Sequence, residues 1–139
     1  MIYFDASVLL PLLIADAHTE KASAWYSGLS ATVVVSDFAN LEVNAVLSRH
    51  LRVARLTQGE VESALLDFDA MRANCERLSH AASDFLLAER LVRDFSTKLA
   101  APDALHLASV KNAGATLATF DARLADAARR QGVALADLG

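Results

Sequence analysis

The sequence predicts an α/β protein, a parallel sheet flanked by helices, with a helical portion inserted between its strands. Two observations carry that expectation. Short apolar or β-branched runs, Ile2-Tyr3-Phe4, Thr32-Val33-Val34-Val35 and Ala115 to Thr119, recur along the chain. Helix-like stretches with their own start and stop signals separate them, so strands and helices alternate. No Gly/Ser/Pro linker, low-complexity tract or internal repeat divides the 139 residues. A single domain over residues 1–139 is therefore expected, long enough to bury most of its apolar surface.

Ile2 to Phe4 reads as a short buried strand. Ser7 is placed to cap the helix that follows, and Pro11 is tolerable in its first turn, where backbone amides lack intrahelical partners. A second helix covers His18 to Gly28 and ends at that glycine. Thr32 to Val35 makes the second strand, after which Ser36 or Asp37 caps a helix running to about Leu51. Thr57-Gln58-Gly59-Glu60 has the Thr-x-x-Glu spacing of a capping box and opens a helix reaching Asn74. Ser83 to Phe95 makes another helix, and Pro102-Asp103 starts one that stops near Gly114. Ala115 to Thr119 is a strand, Ala122 to Gln131 a helix, and Val133-Ala134-Leu135 a last short strand. In open α/β sheets, sites form beyond the carboxyl ends of the strands. Asp5 and Asp121 each lie just after a strand.

Composition narrows the function classes. The hydrophobic share of 54% and mean hydropathy of +0.29 rest largely on Ala and Leu, which suits a helix-rich globule. The single Cys75 offers neither an internal disulfide nor a thiolate zinc site, and is expected to be a packed helix residue. Val8 to Ala15 is far shorter than the roughly 20 residues a membrane span needs. No basic segment precedes it, so it reads as a buried first helix in a cytoplasmic protein without a membrane partner. A net charge of −4 and a pI near 5.5 argue against a broadly basic nucleic-acid-binding surface. Basic residues do cluster at Arg49, Arg52 and Arg55 and at Arg90, Arg93 and Lys98, where solvated helix faces are expected.

The acids are more informative. Asp5 closes an apolar strand, Glu42 interrupts Phe38 to Leu47, Asp103 opens the helix-like run to Val110, and Asp121 follows Ala115 to Phe120. A carboxylate in apolar surroundings is costly unless a cation or hydrogen bonds compensate it. Brought together by the fold, these four would make an oxygen-only site for a hard divalent ion. Singly, each has an ordinary account: Asp103 favours the positive end of a helix dipole, and Asp5 and Asp121 suit turns or caps. Glu42 is harder to dismiss. At 100° per residue Phe38, Leu41, Glu42 and Ala45 fall within roughly a 100° arc, so the glutamate is expected to point with apolar residues toward the sheet. Arg49 returns to nearly the same bearing, either as a solvated or ion-paired helix end or as a phosphate contact.

Clustered acids suggest phosphodiester hydrolysis assisted by one or two Mg²⁺ or Mn²⁺ ions. Ser7 and Thr119 could present hydroxyls to the same cleft, or serve as a cap and a strand's polar side. His106, three residues after Asp103, could face the site or be a buried polar residue. The remaining histidines, His18, His50 and His80, lack zinc-ligand spacing. Trp25 and Tyr26 read as packing or dimer-interface residues. No Gly-rich phosphate loop exists.

Four segments, Ile2-Tyr-Phe-Asp5-Ala-Ser7, Asn40-Leu-Glu42-Val-Asn-Ala-Val-Leu-Ser-Arg49, Pro102-Asp103-Ala-Leu-His-Leu-Ala108 and Leu117-Ala-Thr-Phe-Asp121, resemble the PIN-domain ribonucleases. The similarity is greatest to VapC-type toxins of toxin–antitoxin pairs, and its motifs occur in the family's order over nearly the whole chain. It implies a three-layer α/β/α sandwich around a parallel sheet and Mg²⁺- or Mn²⁺-dependent cleavage of RNA. By position, Asp5, Glu42 and Asp103 match the three principal metal-binding catalytic acids, Asp121 the more variable fourth, and Ser7 the hydroxyl residue beside the first. The resemblance also implies a homodimer and an antitoxin whose C-terminal segment occupies the active-site groove.

Two other readings compete. An aspartate phosphatase of the haloacid-dehalogenase type needs a second acid two residues after the first, and position 7 is Ser. A non-catalytic PIN-like module binding RNA or protein would dispense with the acids, yet all four are present.

Overall fold

Side chains alternate across a strand, and in the first strand that alternation divides the core. Tyr3, with Val34 and Leu117, faces one apolar layer; Phe4, with Val33, Val35 and Ala118, faces the other. The computed structural model describes residues 1–139. Four strands, β1 (Ile2–Phe4), β2 (Val33–Ser36), β3 (Glu76–Leu78) and β4 (Thr116–Ala118), run parallel in the order β3-β2-β1-β4. The register pairs Ile2 with Val33 on one side and Thr116 on the other.

On the Phe4 side lie α1 (Ala6–Leu13), α3 (Asp37–Arg52) and α4 (Gln58–Arg72), which contribute Val8, Leu9, Val43, Leu47, Val61 and Phe68 to the core. Helix α2 (Thr19–Ser27) closes that layer by packing Trp25, tilted, and Tyr26, edge-to-face, against Phe4, at ring-centroid distances of 5.4 and 6.0 Å. Both aromatics are packing residues. On the Tyr3 side lie α5 (Ala82–Arg93), α6 (Ala101–Ala113) and α7 (Ala122–Arg130), with a 3₁₀ turn at Phe95–Thr97 between the first two. Helix α6 is buried continuously from Ala104 to Val110. The chain is thus the three-layer α/β/α sandwich around a parallel sheet. No helix is long and apolar enough to cross a membrane.

Several local expectations hold because their signals are chemical. Ser36 caps α3 by accepting from the Ala39 amide at 3.0 Å. Thr57 and Glu60 form a reciprocal capping box, with bonds of 3.2 and 2.7 Å. Three others are corrected. Strand β3 is absent from the sequence reading: Glu76 and Arg77 are exposed and polar, and the segment is a strand because the edge of β2 accepts it. Val133 to Leu135 makes one bridge, Leu117 to Leu135, rather than a strand, since only Leu117 exchanges backbone bonds with it. The cap of α1 is Asp5, not Ser7, which leaves Pro11 beyond the first turn, at the helix's sixth position. There its missing N–H removes the bond a helix interior would direct to the Ser7 carbonyl.

Thr57→Ala removes one half of the capping box and is expected to lower stability by about 1 kcal/mol. Urea unfolding with an unchanged m-value measures this; an unaltered midpoint would show that the box adds nothing to α4.

Candidate active site

All strands run one way, so their carboxyl ends share an edge, and the predicted acids gather there. Asp5 leaves β1 in an extended conformation (φ −84°, ψ 175°) and is only 4% exposed. Its Oδ1 accepts from Ser7 Oγ at 2.6 Å and from the Val8 amide at 3.2 Å, while Oδ2 accepts from Thr119 Oγ1 at 2.6 Å. Burial pushes the Asp5 carboxyl above the usual carboxylate range, and these donors, Ser7 first, pull it partly back. The two hydroxyls also knit the strand ends together. Ser7 Oγ accepts from the Phe120 amide at 2.8 Å, and Thr119 Oγ1 accepts from the Asp121 amide at 3.0 Å. Both hydroxyls therefore face the first acid, as the sequence allowed.

Glu42 is placed differently from its expectation. The buried stripe of α3 is Ala39, Val43 and Leu47; Leu41 is 63% exposed and Ala45 is also outside. The glutamate sits at the flank of that stripe, because α3 meets the sheet along a line rotated from the arc that its apolar residues suggested. His106 Nε2 hydrogen-bonds its Oε1. His106 is itself 2% exposed, and its Nδ1 lies 2.6 Å from Tyr3 Oη, which lies 2.7 Å from Ser36 Oγ. His106 is thus a buried polar residue and a site-facing one at once. The link of Tyr3 and Ser36 to Glu42 escaped the sequence reading; a tyrosine inside an otherwise apolar buried strand was the available signal, since its hydroxyl needs a partner there.

Asp103 lies in the first turn of α6, and Asp121 caps α7 by accepting from the Arg123 and Leu124 amides at 2.8 and 3.0 Å. Burial raises the Asp103 carboxyl first, and the charges of Asp121, Asp5 and Glu42 raise it further against the opposing influence of His106. The four acids therefore share one electrostatic neighbourhood. They do not form a closed cage: no three acid, histidine or cysteine side chains stand close enough together to hold one ion. Asp5, Glu42 and Asp121 are each committed to protein donors instead. The donor set nevertheless fits a hard divalent cation in kind, because it is oxygen-only and Asp5 Oδ2 retains acceptor capacity.

Other candidates fall outside this centre. Arg49 is exposed in the last turn of α3. Arg93 is tied to Glu89 at 2.6 Å on the solvent side of α5. Cys75 lies in the bend between α4 and β3 rather than in a helix as expected; it donates to the Met71 carbonyl, and burial pushes its thiol up. His18 stacks on Phe120 at 4.5 Å, and His80 pairs with Ser109, so no zinc set forms.

Raised folded-state values mean that the native chain binds protons more tightly than the unfolded one at Asp5 and Asp103. Their contribution is full below about pH 4, the ordinary carboxylate value, and is lost as pH rises through the raised values. In EDTA, Asp103→Asn is therefore expected to raise the urea midpoint at neutral pH and flatten its fall from acid to neutral. An unchanged profile would show that the acids do not repel one another.

The sequence matches the family model described as PIN domain over residues 2–130. It is 32% identical over 139 residues to "Ribonuclease VapC45" of Mycobacterium tuberculosis (strain CDC 1551 / Oshkosh), covering 98% of this chain and 94% of that protein. Among solved structures it is similar to VapC20 of Mycobacterium tuberculosis, described as a sarcin–ricin loop cleaving toxin. The TM-score is 0.74 at 22% identity, covering 91% of this chain and 95% of that one. A toxin–antitoxin complex from Klebsiella pneumoniae matches with a TM-score of 0.65 at 16% identity, covering 87% of each chain. At those identities the structural likeness speaks for the fold.

Proposed function

The chain belongs to the PIN-domain family, among its VapC-type ribonucleases, and from that premise we propose that it is an endoribonuclease toxin hydrolysing RNA phosphodiester bonds with Mg²⁺, for which Mn²⁺ substitutes. One observation carries the chemistry: Asp5, Glu42, Asp103 and Asp121 come together at one sheet edge, where burial first, and then the charges of Asp121, Asp5 and Glu42, push the Asp103 carboxyl up. Acids gathered against their own repulsion are what a cation relieves. Asp5, Glu42 and Asp103 would hold it, with Asp121 as a fourth acid. A bound divalent ion supplies activation of the attacking water and neutralisation of charge developing on the phosphate.

The remaining groups position these acids. Ser7 and Thr119 hold both oxygens of Asp5, so its carboxylate is fixed before any ligand arrives. Thr119 also accepts from the Asp121 amide, which couples the first acid's orientation to the fourth acid's backbone. Arg49, exposed on the helix that carries Glu42, is assigned to the RNA backbone, where its planar guanidinium suits a phosphate.

The partners follow the same reading: RNA as substrate, a cognate VapB-like antitoxin protein, and a second copy of the chain in a homodimer. An apolar surface supports a protein partner. Phe85 and Leu86 on α5 are 57% and 58% exposed, and Phe95 in the following turn is 87% exposed. An apolar cleft of about 550 Å³ adjoins it, lined by Phe38, Phe85, Val92, Pro102 and Leu105 among others. Apolar patches of this kind mark interaction sites more often than bare solvent-facing surface.

A second reading has one observation in its favour. Because no three acids stand in ligating array, a PIN-like module that binds RNA or protein without cutting is the alternative. Incubating the protein with a mixed RNA pool and Mn²⁺ separates the two. Cleavage blocked by EDTA supports the nuclease, and Mn²⁺ binding without cleavage of several RNAs supports the module. Asp103→Asn keeps the shape and removes the charge. A cation's contribution of several kcal/mol corresponds to a loss of at least about 10²-fold in cleavage rate. Undiminished cleavage by that variant would remove Asp103 from the site. Growth arrest on expression, relieved by the co-expressed antitoxin, tests the toxin assignment.

A further inference from the structure

Glu42 lacks the means by which Asp5 and Asp121 are held. Asp5 and Asp121 sit at helix starts and accept from free backbone amides, of Val8 and of Arg123 and Leu124. Glu42 is the sixth residue of α3, past the amides that a helix start leaves available. Its carboxylate must be oriented by a side chain, and His106 provides the bond. His106 lies one turn after Asp103 on α6, so a single helix carries one acid and the group that holds another.

We propose that His106 is a positioning residue for Glu42, and that Ser36 and Tyr3 set its tautomer so that Nε2 carries the proton and Nδ1 does not. This rests on Glu42 being a cation ligand, as proposed above. The direction follows from counting protons. A carboxylate only accepts, so Nε2–H donates to Glu42. In the neutral ring Nδ1 must then accept, and the Tyr3 hydroxyl 2.6 Å away donates to it. That uses the one phenolic proton, so Tyr3 Oη accepts from Ser36 Oγ at 2.7 Å. Ser36 Oγ in turn accepts from the Ala39 amide. The relay starts at the Ser36 cap of α3, crosses β1 and α6, and returns to α3 six residues later at Glu42.

Its three inner members are sealed from water: Tyr3 is 0%, Ser36 1% and His106 2% exposed. A lost bond inside it cannot be replaced by solvent. The imidazole is also gripped by rings, Phe38 at 5.3 Å and Tyr3 at 5.8 Å between centroids. Because His106 bonds only Oε1, the other Glu42 oxygen stays available to a cation. Groups that orient metal-ligating carboxylates in this manner typically contribute about 10- to 100-fold in metal affinity or activity.

Three measurements test the relay. Nitrogen-15 NMR of the native chain without added metal should show the His106 ring protonated at Nε2 alone. A proton at Nδ1 alone, or at both nitrogens, overturns the relay whether or not the chain is a nuclease. Mn²⁺ titration should then give an affinity lower by about 10- to 100-fold for His106→Leu, with most of the loss restored by His106→Gln, whose amide places a donor near Nε2. RNA cleavage should fall in kcat with little change in KM, since Glu42 orientation and not RNA binding is altered. Tyr3→Phe keeps the ring in the core and should lose Mn²⁺ affinity together with the single tautomer. It also carries the test if His106→Leu does not fold. Native Mn²⁺ affinity and kcat in folded His106→Leu and Tyr3→Phe overturn the positioning role. A native chain that binds no Mn²⁺ overturns the metal-nuclease reading beneath it.

Discussion

Asp5 is almost wholly removed from water at the carboxyl end of β1, and its charge is tolerated because three donors from two places in the chain converge on it. The Val8 amide comes from the first turn of α1, the Ser7 hydroxyl from the same turn, and the Thr119 hydroxyl from the segment after β4. Satisfying one buried carboxylate thus fixes how α1 leaves the sheet and where the chain runs after β4. The second consequence is at Asp121, whose amide is held by the same Thr119 hydroxyl. A cluster of bonds required by the cost of burying a charge therefore also sets the spacing between two of the acids.

Glu42 obeys the same constraint by another route. Lacking amides within reach, it borrows a buried imidazole, which itself needs a buried phenol, which needs a serine. Such a network is stable only when every member is satisfied, so each residue in it depends on the others. This gives the site two kinds of support: hydroxyls and amides under Asp5, and a side-chain relay under Glu42. Asp103 has neither and registers the repulsion of its neighbours most directly.

Much of the fold was legible because its signals are local. The Thr57–Glu60 capping box, the Ser36 cap and the Gly114 stop depend on atoms within one turn, and each occurs as expected. Strand β3 was not legible, because Glu76 and Arg77 carry no apolar pattern and pair only where an edge of β2 is open. The last segment failed in the opposite sense: Val133 to Leu135 looks like a strand but shares only one bridge with β4. Ser7 failed as a cap because Asp5, two residues earlier and immediately before the helix, took that place, freeing the hydroxyl for the acid.

The candidate site divides along the same line. The sequence by itself singled out the candidate acids, since Asp5, Glu42, Asp103 and Asp121 stand out as charges in apolar runs, and their order carries the resemblance to PIN-domain ribonucleases. It also placed Asp5 and Asp121 beyond strand ends, which a parallel sheet turns into one edge. Only the tertiary structure decided what holds each acid. The bearing of Glu42 depends on how α3 lies against the sheet, which rotated the buried stripe to Ala39, Val43 and Leu47. Its partner His106 is 64 residues away in sequence, and the Tyr3 that fixes His106 is 103 residues from it. Periodicity reports which residues turn inward; which two inward-turned polar groups meet is set by packing between elements, and no window of sequence contains that information.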